Sequence, residues 1–196
     1  MNIVRPIHLM LLIFGCAGIM ACQKVSSRQA LELIQGLEKK AEVNREAASM
    51  GTAQLDQKLL SELGDAYLDW ADKYPEAPET PEYLFRAGEL YSNELQDFPK
   101  AIEVFERDYK GYPEHETAAN ALFFIGYLYN NSLQDLPKAE TYYKEFLAKY
   151  PKHNMARHAE FELESLGLSP DEVFEKILKK DSLNAVSTEL EDSVVQ

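Results

Sequence analysis

Residues 74–111 read YPEAPETPEYLFRAGELYSNELQDFPKAIEVFERDYKG, and residues 112–149 read YPEHETAANALFFIGYLYNNSLQDLPKAETYYKEFLAK. Laid over each other without a gap, they agree at 15 of 38 positions, where unrelated segments of average composition would agree at about two or three. The identities include Leu84 with Leu122, Phe85 with Phe123, Gly88 with Gly126 and Tyr91 with Tyr129. The stretch from Leu95 to Lys100 recurs from Leu133 to Lys138 with one change, Phe98 to Leu136. A third Tyr-Pro, Tyr150-Pro151, follows at the same 38-residue interval. A fixed period of this length marks one supersecondary unit copied in tandem.

Each unit reads as two helices. Leu84, Ala87, Gly88 and Tyr91 fall at i, i+3, i+4 and i+7, one stripe of a helix that must face something apolar. Thr80 is placed as its N-cap, with Pro81 at the first helical position. Asp97 is placed to cap the second helix, where Pro99 in the first turn loses no intrahelical hydrogen bond. That helix carries Ala101, Phe105 and Tyr109 at four-residue spacing. Glycine in a helix interior costs about 1 kcal/mol relative to alanine. Gly88 and Gly126 therefore predict close helix crossings, against small Ala101 and Ala139 and with Tyr91 and Tyr129 packing alongside. Tyr-Pro closes the unit, because proline disfavours helical geometry in the residue before it.

The pattern continues on both sides. Upstream, Leu55, Leu59, Leu63, Tyr67 and Trp70 predict a second helix over 53–73, and Ala30, Leu33, Ile34, Leu37 and Ala41 predict its partner over 27–47. Downstream, Ala159, Phe161, Leu163 and Leu166 repeat Ala121, Phe123, Ile125 and Leu128 one period later, until Gly167. Ser169-Pro170-Asp171-Glu172 is a capping-box sequence that opens an amphipathic helix to about Lys180, expected to cap the array. From Asp181 to Gln196 the chain is polar and acidic, the composition of a disordered tail.

The first 21 residues carry one cation, Arg5, and an apolar run from Leu9 to Met20. Twelve residues is short of the roughly 20 that cross a bilayer as a helix. The pattern is that of an export signal. Its end, Ile19-Met20-Ala21-Cys22, resembles a bacterial lipobox; Ile13-Phe14-Gly15-Cys16 offers a rival frame with a shorter apolar run, and a plain secretory signal or an uncleaved anchor is the alternative to both. The lipobox resemblance implies cleavage before Cys22, acylation of that residue and a tether over 22–26. It also implies, through Gln23 at the next position, placement in the outer membrane facing the periplasm. Several acyl chains at about 0.8 kcal/mol per buried methylene hold more firmly than one.

Composition narrows the function. The chain has 20 Lys+Arg against 33 Asp+Glu, a formal charge of −13 that becomes −14 without the leader. Such a surface is not built to neutralise phosphate, so nucleic acid is excluded as a partner class. Two cysteines make no disulfide framework. His115, His153 and His158 have no accompanying cysteine or helical-face spacing, so no metal site is read, and they are expected as solvated surface residues. With no phosphate loop and no nucleophile elbow, neither a catalytic residue nor a small-molecule cofactor is implied.

Leu84, Ala87, Gly88, Tyr91, Ala101, Phe105 and Pro113, with Leu122, Ile125, Gly126, Tyr129, Ala139, Tyr143 and Pro151, resemble the tetratricopeptide repeat. The resemblance covers about residues 27–180. It implies an all-α fold, a right-handed α-α solenoid of tetratricopeptide-like helix pairs. The usual 34-residue period is stretched to 38. That stretch, the tyrosine before the terminal proline and the lipobox together are similar to the outer-membrane assembly lipoprotein family BamD. The repeat subtype is similar also to the C-terminal repeats of the Tol-Pal coordinating protein. BamD-like proteins usually carry about five repeats where this chain has room for about four.

These resemblances imply a non-enzymatic adaptor that binds other envelope proteins. A ligand-binding lipoprotein of a nutrient-uptake system is the alternative from another class. The repeat would place Phe85, Glu89, Ser92 and Asn93, then Phe123, Tyr127, Asn130 and Asn131, and lastly Phe161 on a concave partner-binding face. Packing between helices is the competing role for Phe85, Phe123 and Phe161. Tyr127 and Asn131 are the better groove candidates, because the other units have no apolar residue at the place of Tyr127. Arg86 is the sole cation in either central first helix, which argues against a clamp for a partner's terminal carboxylate.

Overall fold

The computed structural model describes residues 7–179, with side chains from Ser27 onward. The expected tail over 181–196 and the side chains of Cys16 and Cys22 lie outside the described residues. The described chain is helical and contains no strand. The elements are α1 (Ile7–Ser49), α2 (Gln57–Lys73), α3 (Thr80–Asn93), α4 (Phe98–Gly111), α5 (Glu116–Tyr127), α6 (Leu136–Lys149) and α7 (Ala156–Ser165). A last helix, α8, covers 170–179. This is the all-α arrangement of tetratricopeptide-like helix pairs that the repeat predicts.

Two compact units divide within α5, Met1–Ala121 and Leu122–Gln196. In the first, α1 packs on α2, α2 on α3 and α3 on α4. Ile34, Leu37 and Ala41 of α1, Leu60, Leu63 and Trp70 of α2, Leu84 and Ala87 of α3, and Val104 and Phe105 of α4 fill the interior. Each large side chain buried this way contributes about 1.5–3 kcal/mol. In the second, α6 packs on α7, and Leu122, Ile125, Tyr143, Phe146 and Ala159 are buried.

The glycines mark the crossings. A Cβ on Gly88 would overlap the Phe105 ring, and one on Gly126 would lie 3.0 Å from Tyr143 Cδ1. Gly64 of α2 makes the same kind of approach, 3.0 Å from the Tyr91 hydroxyl. The turn between paired helices is closed in one way in both copies. The Leu95 N–H donates to the Leu90 carbonyl and that of Asp97 to Tyr91, as Leu133 donates to Leu128 and Asp135 to Tyr129. Gln96 and Gln134 sit in the left-handed region at φ 55° to close these wide turns, and in the second copy the turn is a π-helix, Leu128–Ser132. Asp97 and Asp135 then cap α4 and α6 by accepting from the Lys100 and Lys138 N–H.

Four local expectations are corrected. Helix α2 starts at Gln57, not at 53, because Gly51 at φ 71° turns the chain out of α1 and Asp56 caps α2. Helix α1, Ile7–Ser49, is longer than the predicted 27–47. Thr80 caps nothing in its own helix. It is fully buried, accepts from the indole N–H of Trp70 at 3.1 Å and donates to the Tyr74 carbonyl at 2.6 Å. His115 and His153, half-buried, are turn residues, not solvated ones. The Nδ1 of each accepts the backbone N–H two residues on, Thr117 and Met155. The capping box forms as expected: the Ser169 N–H donates to Glu172 at 2.8 Å and the Glu172 N–H to Ser169 Oγ at 3.3 Å. The Ser169 N–H and then the Ser169 hydroxyl, both donating to the Glu172 carboxylate, hold it below the usual range.

Candidate functional site

In the first unit, α1, α2 and α3 enclose a groove of about 570 Å³. One wall is Glu38, Glu42 and Arg45, at i, i+4 and i+7 on α1; the other is Arg86, Glu89 and Asn93, at i, i+3 and i+7 on α3. Leu63 and Tyr67 of α2 and Leu90 of α3 form the apolar floor. The helices present these residues together because each stripe lies on the flank of the buried stripe that pins the helix down.

Both cations are already engaged. Arg45 forks onto Glu94 with two bonds of 2.7 Å, a geometry that fixes the guanidinium as well as pairing it. That hydrogen bonding is the main reason its pKa is raised, and desolvation opposes it. Arg86 donates to Glu82 at 2.8 Å and to Glu38 at 3.0 Å, and its pKa is likewise pushed up, first by the bond to Glu82. The Tyr67 hydroxyl donates to Glu38 at 2.7 Å. Burial above all, then that carboxylate, raises the Tyr67 phenol. The half-buried Glu89 carboxyl is also pushed up, by desolvation first and by Glu82 second, while Arg86 pulls it down. The groove thus carries four carboxylates and two guanidinia, with the positive charge held in place and the surplus negative.

In the second unit a groove of about 730 Å³ lies between the π-turn, α7 and α8. Asn130, Asn131 and Gln134 supply an amide rim, and Phe161, Val173 and Phe174 an apolar surface. Asn130 donates to Glu162 at 3.0 Å, and Asn131 to the Tyr127 carbonyl at 3.2 Å.

The predicted partner-binding residues divide accordingly. Glu89 and Asn93 line the first groove, Asn130 and Asn131 the second, and Tyr127 is 41% exposed beside them in sequence on the same helical run. Phe85 is half-buried with its ring 5.6 Å from Phe105. Phe123 is a correction: at 6% exposure it is packed among Phe124, Tyr143 and Phe146, so it belongs to the interior and not to a groove. Ser92 donates to its own helix at Glu89, and Phe161 is 46% exposed.

Of the packing residues, Gly88 and Gly126 stand at the crossings described, and Ala101 and Ala139 are fully buried. Tyr91 is buried and donates to Asp65 at 3.3 Å; burial pushes its phenol up to about 12. Tyr129, half-buried, stacks on Tyr142 at 5.5 Å with Lys138 over its ring at 4.8 Å.

Arg45, Glu38 and Tyr67 were missed by sequence reasoning, which counted cations only in the two clear copies. Their signal was the polar stripe of Glu38, Glu42 and Arg45 running beside the apolar stripe of Ile34, Leu37 and Ala41 on the same helix. Among the described residues, no group of three or more His, Cys, Asp or Glu is placed to hold a metal ion, and no helix is long and apolar enough to cross a membrane.

A tetratricopeptide repeat is recognised over residues 120–153, the span that takes in most of α5, the π-turn and α6. No curated protein matches the chain.

Proposed function

We propose that this protein is a non-enzymatic adaptor that binds other envelope proteins through its helix-pair grooves, held by lipid on Cys22 at the periplasmic side of the outer membrane. The observation that carries the binding role is the first groove: two guanidinia fixed by carboxylates around an apolar floor, open to solvent, with surplus negative charge. Fixed polar groups cost little ordering entropy when a partner docks, and an apolar floor supplies the burial. Tetratricopeptide repeats are in general protein-interaction modules, which supports a protein as the occupant. The residues that line the groove present no nucleophile paired with a base and no small-molecule cofactor is needed for this role.

The lipid anchor and the outer-membrane location rest on the lipobox sequence Ile19-Met20-Ala21-Cys22-Gln23. The role in outer-membrane protein assembly rests on the BamD-like stretch of the repeat and its Tyr-Pro junctions. Coordination of the Tol-Pal system is the second reading, favoured by the same junctions. Crosslinking in envelope membranes followed by identification of the captured proteins separates them. Barrel-assembly components support the first and Tol-Pal components the second. The Glu89→Lys chain, expressed at the same level, should lose at least tenfold in capture. A saturable oligosaccharide isotherm with no captured protein would overturn both in favour of a nutrient-uptake lipoprotein.

A further inference from the structure

The two guanidinia of the first groove do not use its carboxylates equally. Glu94 is taken by the Arg45 fork, and Glu38 by Arg86 and the Tyr67 hydroxyl. The carboxylates of Glu42 on α1 and Glu89 on α3, in the two walls of the groove, make no hydrogen bond or ion pair among the described residues, and Arg45 and Arg86 act on them only through space. Glu42 is exposed and Glu89 half-buried beside the apolar floor. One period on, Phe124 and Tyr127 stand at the places of Arg86 and Glu89, so this arrangement belongs to the first groove and not to the repeat.

We propose, resting on the adaptor reading, that the partner segment docked in this groove carries a lysine or arginine that pairs with Glu89 and Glu42, next to an apolar side chain that covers the floor. Any partner that covers Leu63 and Leu90 also takes the remaining water from Glu89, whose carboxyl is already pushed up by desolvation. A carboxylate removed from water without a donor is costly, and a cation with N–H donors offsets that cost. A purely apolar segment would leave Glu89 stranded. An acidic segment would have to break the two 2.7 Å bonds of the Arg45 fork, or those from Arg86 to Glu82 and Glu38, before it met an available positive charge. The formal charge of −13 on the whole chain draws partners of the same cationic sign. The stems of lysine and arginine are themselves apolar, so one such side chain lies along the floor while its head reaches the wall.

Fluorescence anisotropy with three labelled 14-residue peptides and the purified full-length chain tests this. Each peptide has leucine on one helical face, and the other face is lysine in the first, glutamine in the second and glutamate in the third. The lysine peptide should bind at least tenfold more tightly than the glutamine peptide, and the glutamate peptide more weakly than either. Glu89→Gln should weaken the lysine peptide at least tenfold and Glu42→Gln about threefold, with melting temperatures within a few degrees of the unsubstituted chain. Glu103→Gln, on α4, which contributes nothing to the groove lining, should leave binding within about twofold. Equal affinity for the lysine and glutamine peptides overturns the proposal, as does a lysine peptide that fails to bind. So does an equal loss from Glu89→Gln and Glu103→Gln, which would assign the preference to the general charge of the chain. Capture in crosslinked membranes keeps the two readings apart. Capture that the Glu89→Gln and Glu42→Gln chains retain in full leaves an adaptor and removes the cationic partner, whereas an unsubstituted chain that captures no protein removes the adaptor itself.

Discussion

At residue 108 the repeat carries a carboxylate where its neighbours carry a ring. Trp70, Asp108 and Phe146 are one period apart, all are buried, and each carbonyl accepts the N–H of the tyrosine that closes its unit at 2.8 Å. Trp70 satisfies its indole through Thr80, whereas Asp108 accepts from the Thr117 hydroxyl at 3.0 Å with one oxygen and leaves Oδ2 without a partner. Desolvation pushes this carboxyl up to about 7, the Thr117 bond pulls it down, and Glu82 adds to the rise. The folded state therefore holds the proton more tightly than the unfolded chain, where the pKa is about 3.8. Stability from this site is full below about pH 4, falls as pH rises towards 7 and stays low above it. Asp108→Asn should stabilise the fold at pH 8 by an amount on the order of 2 kcal/mol, read as a raised melting temperature, and change it little at pH 4. An equal effect at both pH values in thermal melts would mean that Asp108 is not protonated by the fold. A smaller residue effect belongs to Gln96, held at φ 55°. Gln96→Gly should stabilise by up to about 1 kcal/mol, since glycine adopts that backbone without a Cβ penalty.

At the scale of the element, the same substitution is expected to act with opposite sign in two helices. Gly88 of α3 faces the Phe105 ring so closely that a methyl group overlaps it, whereas a Cβ on Gly36 of α1 meets nothing within 4 Å. Gly36→Ala should stabilise by up to about 1 kcal/mol through helix propensity alone. Gly88→Ala should cost about 1–3 kcal/mol, because the ring must leave a packed interior or the helices must separate. Urea denaturation of both variants gives the comparison, and a neutral Gly88→Ala would show that α3 and α4 are loosely packed. The glycines and the helix pairs were legible in the sequence because a period of 38 residues superposes them and a glycine inside a helix needs a reason. The wide turns were not legible, because Gln96 and Gln134 carry no local sign of a left-handed backbone. Nor was the role of Thr80, because the same residue type suits a cap and a buried tie to Trp70. His115 and His153 were missed for a similar reason: their spacing was tested for metal binding and not against the start of the next helix.

At the scale of the whole molecule, sequence periodicity separates residues that hold the units together from residues that face outward only in part. Phe123 and Tyr127 lie one helical turn apart on α5, and the repeat placed both on one face, yet one is enclosed by Tyr143 and Phe146 and the other is 41% exposed. A phenylalanine that follows the buried stripe by one position turns inward when aromatic neighbours on the next helix leave it room, and single positions do not encode that. The two residues therefore give a paired test of the adaptor reading. Phe123→Ala removes a ring from a packed cluster and should lower stability by about 3–5 kcal/mol, with loss of partner capture only as a result of unfolding. Tyr127→Ala removes an exposed side chain and should leave the melting temperature within a few degrees. If partners dock along this run of α5, capture in crosslinked membranes should nonetheless fall at least tenfold, the size expected where a tyrosine anchors an interface. Melting curves and capture yields measured on the same preparations separate the outcomes. A Tyr127→Ala chain that melts normally and captures normally would move the docking surface off this helix, and a collapse of its melting temperature would make Tyr127 a packing residue.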